Sequence, residues 1–464
     1  MPQIDVTSAL ESPAVRTALV AIGAGLIWVL AREVRKIPAK LLVLMATAFV
    51  DMVGLLMIVP LLPFYVKKVA GEGVTLFSAT LGVGSLCGIV VAAFTVAQLA
   101  SAPLWGRFSD RYGRRPALLI ALFASAIAYV IFGFADSLWL ILLSRVVQGA
   151  GGGTVGVIQA YVADTTEPEQ RARALGWLSA ATNLGVALGP VVGSLAVSLG
   201  ESDLMPGPAT LRLGSAAPGI VAAVICLLDM AFAARFLKES KEARHAHAAH
   251  ERVSMGQALW RVVSRAGAPS SRLIWTYAIA IGAFQGISAV LALFMNARFQ
   301  VNELTIGYFY MYIGAISVFA RVLALGRLVD RLGEARLSRV GIVTLAAGVL
   351  GMPFAGSLGT LALAVAMIPL GTAFTFPCVT ALLSRVVSAA DRGLYMGLQQ
   401  TFGGMARVLA PLFYGWAFDN LGMAVPFYFS AAFVLATLPL GFGLGRFAGP
   451  KPKTAGTPPD VPKS

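Results

Sequence analysis

Twelve apolar stretches follow one another along the chain, at residues 40–66, 81–105, 117–135, 138–163, 173–198, 216–236, 273–297, 305–326, 338–356, 359–384, 394–418 and 424–446. About 20 apolar residues are enough to cross a bilayer core of ~30 Å. Lipid offers no partner to backbone N–H and C=O groups, so a spanning segment is either a helix or part of a closed barrel. Barrel strands read as alternating segments of about ten residues. These stretches are longer and unbroken, so they predict helices. Of the 464 residues, 58% are apolar and 12% charged, against ~25% charged in a typical soluble domain. A water-soluble globule and a disordered chain are both excluded. The expected fold is an all-α polytopic membrane protein.

Charge fixes the expected topology. The chain carries a net charge of +14. The connections at 106–116, 164–172, 237–272, 327–337 and 385–393, with the adjoining helix ends and the tail, hold 24 Lys and Arg residues, and the alternate connections hold 4. Cytoplasmic loops are the ones enriched in Lys and Arg. The first set and the C-terminus are therefore expected in the cytoplasm, in a multi-pass protein of the inner (plasma) membrane. The same excess argues against a nucleic-acid partner, because no basic stretch alternates with exposed aromatics.

The twelve stretches fall into two sets of six. The expected organisation is an N-terminal extension (1–39), a first six-helix half (40–236), a central cytoplasmic loop (237–272), a second half (273–447) and a cytoplasmic tail (448–464). Within the extension, residues 17–31 are apolar and flanked by Arg16, Arg32, Arg35 and Lys36. They are short for a span, which leaves a thirteenth span or a helix lying on the membrane; the charge bias favours the span. The central loop carries His245, His247 and His250 with no acidic or Cys partner at ligand spacing, so a solvated linker is expected rather than a metal site. Cys87, Cys226 and Cys378 are far apart in apolar stretches and suggest neither disulfides nor metal.

The two halves echo each other. Gly106, Asp110, Arg111 and Gly113 recur as Gly326, Asp330, Arg331 and Gly333 at an offset of 220, and Arg171, Gly176 and Pro190 as Arg392, Gly397 and Pro411 at 221. Two matches at nearly one offset indicate duplicated six-helix units. Parallel repeats of this kind place a binding site at mid-membrane between the halves.

Several motifs carry a family resemblance. They are Gly106-Arg-Phe-Ser-Asp110-Arg111-Tyr-Gly113-Arg114-Arg115 between helices 2 and 3, Arg145-Val-Val-Gln148-Gly149 in helix 4, and Gly185-Val-Ala-Leu-Gly189-Pro190-Val-Val-Gly193 in helix 5. Asp51-Met-Val-Gly54 with Pro60 and Pro63, and Ala163-Asp164-Thr165-Thr166, complete the set. From about residue 40 to 447 the chain resembles a major facilitator superfamily transporter, and within it the twelve-span drug/proton antiporters that include the tetracycline exporters. The resemblance implies two six-helix bundles related by pseudo-two-fold symmetry. It also marks departures: Ser194 stands where the antiporter signature has a second Gly, and Glu334-Ala335 replaces the basic pair of the second-half loop.

Ionisable residues inside spans are costly and are functional candidates by default; here they are Asp51, Arg145, Asp229, Arg321 and Arg407. Asp51 lies eleven residues into the first span, about 16 Å deep at ~1.5 Å per residue, near the centre of the core. Burial favours a carboxylate's neutral form, which makes Asp51 the first candidate proton carrier. Arg145 lies about 10 Å from the opposite face, so the two differ in depth and a direct pair is not the favoured reading. Asp229 is either a rival carrier or a helix-end partner for a basic residue. Arg321 is expected to snorkel. Gln148 is grouped with Arg145, and Gln285, Gln400 and Arg407 either line the cavity or pack. Gly106, Asp110, Arg111, Gly113, Arg114 and Asp164, with Asp330, Arg331 and Gly333, are expected to latch the cytoplasmic side: glycines for a tight path, Asp110 at a helix N-terminus, Arg111 or Arg114 on Asp164. Gly185, Gly189, Pro190 and Gly193 suggest a closely packed face able to rock.

The glycines at 149–153 precede no Lys-Ser/Thr, so a nucleotide loop is rejected. The expected activity is secondary transport without a cofactor, the proton gradient supplying energy: an outward-moving small amphipathic molecule exchanged for protons, by a chain for which a monomer is sufficient. The alternatives are a facilitator-fold importer or uniporter, and a transport-dead receptor or scaffold. No nucleophile–base or metal cluster suggests an enzyme.

Overall fold

The structure, a computed structural model, describes Thr17 and residues 39–447 apart from 72, 77–78, 153, 202–213, 240–254 and 389–390. The apolar stretch 17–31, the three histidines and the tail lie outside the described residues. A helix stands at each of the twelve expected spans. The first span is α1 (Ala39–Ile58) followed by α2 (Leu62–Ala70), and the second is α3 (Val83–Tyr112). Next come α4 (Arg114–Gly133), α5 (Leu138–Gly151) with α6 (Thr154–Thr165), α7 (Pro168–Glu201) and α8 (Ala217–Phe236). After a short amphipathic helix, α9 (Met255–Ser264), the second half comprises α10 (Pro269–Phe299), α11 (Ile306–Phe319) with α12 (Leu325–Leu332), α13 (Glu334–Phe354), α14 (Leu358–Val386), α15 (Arg392–Asn420) and α16 (Val425–Ala436). Ten of these are at once long and apolar enough to cross a membrane by themselves. The last stretch is shorter, an apolar helix over Val425–Gly441.

Three spans are interrupted, each for a chemical reason. Pro60 has no N–H to continue the ladder, and the chain turns between α1 and α2, where Leu61 N donates to Ile58 O at 3.0 Å. The glycine run after Gln148 ends α5 at Gly151 and restarts the helix at Thr154. Carbonyls freed at membrane depth need other donors, and α3 supplies them: Trp105 Nε1 donates to Ala150 O at 2.6 Å, Ser101 Oγ to Gly149 O at 3.4 Å and Gln98 Nε2 to Gly152 O at 3.4 Å. Between α11 and α12, residues 320–324 form one π-helical turn that carries Arg321.

Two expectations about connections are corrected. Residues 106–116 are not a loop: α3 runs to Tyr112 and α4 starts at Arg114, with Gly113 alone between them at φ 105°. The second-half counterpart is the same, with Gly333 at φ 74° between α12 and α13. Both positions need the left-handed backbone that glycine supplies without a Cβ penalty, whereas Gly106 lies inside α3 with open space around it. In the connection just before α3, strands β1 (Gly73–Leu76) and β2 (Ala79–Gly82) pair antiparallel, Gly73 opposite Gly82.

The halves meet along two antiparallel helix pairs, α3 with α15 and α7 with α11. Their close approaches run from the face opposite the arginine-rich connections to about the middle of the helices. A Cβ on Gly84 would lie 2.8 Å from Gly415 O, and Gly88 faces Pro411 O as closely. Ser194 Oγ donates to Glu303 O at 2.8 Å and accepts from Gly307 N at 3.0 Å. The serine that departs from the antiporter signature thus staples α7 to the other half. Towards the basic face, α3 loses its burial: its buried residues run from Gly84 to Thr95, followed only by Ser109.

Candidate functional site

The break between α5 and α6 positions the site. It brings Thr154 against α1, where Thr154 Oγ1 donates to Asp51 Oδ2 at 2.8 Å. Asp51 is 6% exposed. One turn along α1, a Cβ on Gly54 would lie 3.3 Å from the hydroxyl of Tyr129, which comes from α4. That hydroxyl accepts from Gln148 Nε2 at 2.8 Å. Tyr129 stands within electrostatic range of both Asp51 and Arg145. Arg145 is 1% exposed, its Nε donates to Ser144 Oγ at 3.3 Å, and its guanidinium lies 5.4 Å from the centre of the Phe132 ring. Among the described residues, Arg145 Nη2 and Gln148 Oε1 have no hydrogen-bond partner, and no ion pair joins Arg145 to Asp51.

Asp229, on α8, is 3% exposed and makes no ion pair among the described residues. Among the described residues it is not paired with a basic residue as a helix-end partner. Thr47, one turn before Asp51 on α1, places its hydroxyl beside the Asp229 carboxylate, and Asp51 is within electrostatic range. Buried polar groups are nearly always bonded. Here two buried carboxylates, each beside one hydroxyl and neither ion-paired among the described residues, make a place where a proton can be received. The structure gathers Asp51, Gln148, Arg145 and Asp229 around α1, and adds Thr47, Tyr129 and Thr154. Uncharged residues of this kind are common inside spans, so nothing in the sequence singled out those three.

The second-half candidates form a separate group. Arg407 Nη2 donates to Gln400 Oε1 at 3.3 Å and to Tyr277 Oη at 3.5 Å. Gln285 is half-buried on α10. Arg321 does not simply snorkel: its guanidinium donates to Asn183 of α7, across the interface between halves. A cavity of about 460 Å³ opens between α10, α15 and α16, lined by Trp275, Phe402, Leu409, Phe413, Phe433 and other apolar groups. None of the candidate residues lines it.

At the basic face, Arg114 Nε pairs with Asp164 at 2.9 Å and Nη1 with Asp110 at 2.7 Å. Arg111 is exposed, its guanidinium 5.3 Å from the ring of Tyr112. Asp110 does not cap a neighbouring helix. Glu239 takes that place, accepting from Arg114 N at 2.8 Å and Arg115 N at 3.2 Å at the start of α4, where the helix dipole favours an anion. In the second half Asp330 and Arg331 are exposed and make no ion pair among the described residues. The pair there is Arg385 Nη2 with Glu334 Oε1 at 2.7 Å. Glu334 and Arg385 are the repeat counterparts of Arg114 and Asp164, at offsets of 220 and 221. The contact is retained with its charges exchanged, so Glu334 does not weaken it. Each pair lies within one half. The row Gly185, Gly189 and Gly193 likewise faces its own half, against Phe49, Leu56 and Met57 of α1, while Ala187, Pro190 and Ser194 face α11.

Comparison with known proteins places this arrangement. The chain is 27% identical over 407 residues to multidrug resistance protein 2 of Bacillus subtilis (strain 168), covering 87% of this chain and 93% of that protein. It is 28% identical over 377 residues to the class C tetracycline resistance protein of Escherichia coli, covering 80% and 88%. Among solved structures, a bacterial homologue of the human lysosomal transporter Spinster, in an inward-facing and occupied conformation, superposes with a TM-score of 0.71 at 14% identity, covering 88% of this chain and 96% of that one. A D-xylose-proton symporter superposes with a TM-score of 0.67 at 18% identity, covering 87% and 97%. The Major Facilitator Superfamily profile matches residues 44–368 and 322–463. With its duplicated six-helix halves, the chain belongs to the Major Facilitator Superfamily and is a multi-pass secondary transporter.

Proposed function

We propose that this transporter exports a small amphipathic molecule, of the drug or tetracycline class, in exchange for protons entering from outside. The observation that carries the reading is the pair of buried carboxylates on α1 and α8, each beside one hydroxyl, Thr154 for Asp51 and Thr47 for Asp229, and neither in an ion pair among the described residues. A coupling group has to change its protonation between states, and a carboxylate locked in a buried ion pair would resist that. Asp51 is the first carrier, and Asp229 its partner in the same pocket. Arg145, which like Asp51 stands within electrostatic range of Tyr129, supplies the positive charge that makes carboxylate ionisation sensitive to small movements. Protonation then biases the equilibrium between two conformations, and the conformation reciprocally sets proton affinity. No cofactor is needed and one chain is sufficient.

Direction is supported by the relatives named for multidrug and tetracycline resistance. The basic face is assigned to the cytoplasm of the inner (plasma) membrane. The halves hold together at the other face, so the state described is the inward-facing one. Import is the second reading, because the same fold serves a D-xylose-proton symporter. A drug-sensitivity panel that includes tetracycline, in a host lacking its own exporters, separates the two. Raised tolerance to one or more compounds, with lower accumulation in the cells, supports export. Unchanged tolerance throughout, or increased accumulation, contradicts it.

A further inference from the structure

Helices α3 and α15 belong to different halves and run antiparallel, so the first turn of α3 meets the last turn of α15 at the face opposite the arginine-rich connections. Asp419, next to last in α15, lays its carboxylate on that turn. Gly84 N donates to Oδ1 at 2.9 Å, Ser85 N to Oδ2 at 2.7 Å, and Ser85 Oγ to Oδ2 at 2.6 Å. One anion thus takes three donors at the positive end of a helix, where charge-assisted bonds are short and strong. The backbone is shaped for it: a Cβ on Gly84 would lie 2.7 Å from Asp419 Oδ1, and one on Gly82 would lie 2.5 Å from the carboxyl carbon. A capping carboxylate normally belongs to its own helix or loop, but these partners are 335 and 334 residues apart. A weaker contact, from Lys67 Nζ to Asn296 Oδ1 at 3.3 Å, joins the halves at the same face.

Opening this face requires α3 and α15 to separate, and their separation breaks all three Asp419 bonds together. At the other end of the same two helices, the last residues of α3 (Gly106, Arg107, Asp110, Arg111) and the first of α15 (Arg392, Gly393) are exposed. The pair is fastened at one end and free at the other.

We propose that Asp419 is the clasp that holds the face opposite the basic loops shut, and that its release from the N-terminus of α3 is the step that admits the outward-open state. Asp419 is a positioning residue: it touches neither substrate nor the buried carboxylates, and acts on the balance between conformations. The inference rests on alternating access, and on nothing about which ion or solute is carried.

Spin labels at Lys68→Cys and Ala297→Cys test it. Both positions are exposed on that face, one in each half, while Cys87, Cys226 and Cys378 are buried and stay native. Distances are measured by electron–electron resonance on the full chain in lipid nanodiscs, without substrate or gradient. With Asp419 intact the short distance dominates. Asp419→Ala should raise the ratio of long to short distances about tenfold or more, the scale expected for bonds to a charged acceptor. Gly84→Ala, which pushes the carboxylate off α3, should move it the same way, and Asp419→Asn, which keeps one acceptor oxygen, should fall between. If Asp419→Ala does not fold, the Gly84→Ala and Asp419→Asn variants decide. A parental distance distribution in every variant that folds overturns the clasp. Because no gradient is used, that result leaves proton exchange standing, and a failure of proton exchange leaves the clasp standing.

Discussion

Asp229 shows how one residue's environment decides its role. A buried carboxylate whose polar neighbour is the single hydroxyl of Thr47 gains little stability through partners, and its desolvation is a cost. Retention of such a group is explained by function rather than folding. Asp229→Asn is therefore expected to leave the melting temperature in detergent unchanged or raise it, while removing most substrate-driven proton movement. A lowered melting temperature with transport intact would return Asp229 to a structural role. Asp51, Arg145 and Asp229 were legible in the sequence because a charge inside an apolar run stands out. Thr154 and Tyr129 were not, since a hydroxyl in a span carries no such signal. Asp419 escaped notice for another reason: it sits at a helix end, where a charge is ordinary, and only the fold shows that the helix it caps belongs to the other half.

At the scale of elements, the apolar stretches located each of the twelve spans among the described residues, and the punctuation inside the spans was the harder part. Pro60 and the glycine run after Gln148 were visible, yet only the structure shows that the second break delivers Thr154 to Asp51. The connections between α3 and α4 and between α12 and α13 read as loops because their charges excluded them from lipid, and charged segments at a membrane face can be helical up to a single glycine. The exchange of charges between Arg114–Asp164 and Glu334–Arg385 was within reach of the repeat offset, had each ionisable position been carried across the halves. It makes a specific prediction. Arg385→Glu places a second carboxylate against buried Glu334 and should destabilise the chain by about 2 kcal/mol, intermediate between exposed and fully buried pairs. Adding Glu334→Arg should restore most of that loss in a thermal melt, while either reversal alone should not. Equal losses in the double and single variants would mean that the pair is incidental to packing.

At the scale of the molecule, two six-helix halves held together at one face and parted towards the other form one member of a pair of states. Sidedness is proposed from the distribution of positive charge. A reporter fused after Ser464 is expected to read cytoplasmic and one inserted near Asp203 to read outside; the reverse would invert the direction assigned to the open face. The central claim is proton exchange through Asp51, and vesicles test it directly. Inside-out vesicles carrying the transporter are energised to an acid interior, and a compound found active in the sensitivity panel is added while an internal pH dye is followed. The native chain should release protons on addition of the compound. Asp51→Asn, folded and present at the same level, should still bind the compound and release none. Proton release at the native rate from Asp51→Asn would contradict the assignment, and export by the native chain with no proton release at all would contradict antiport itself.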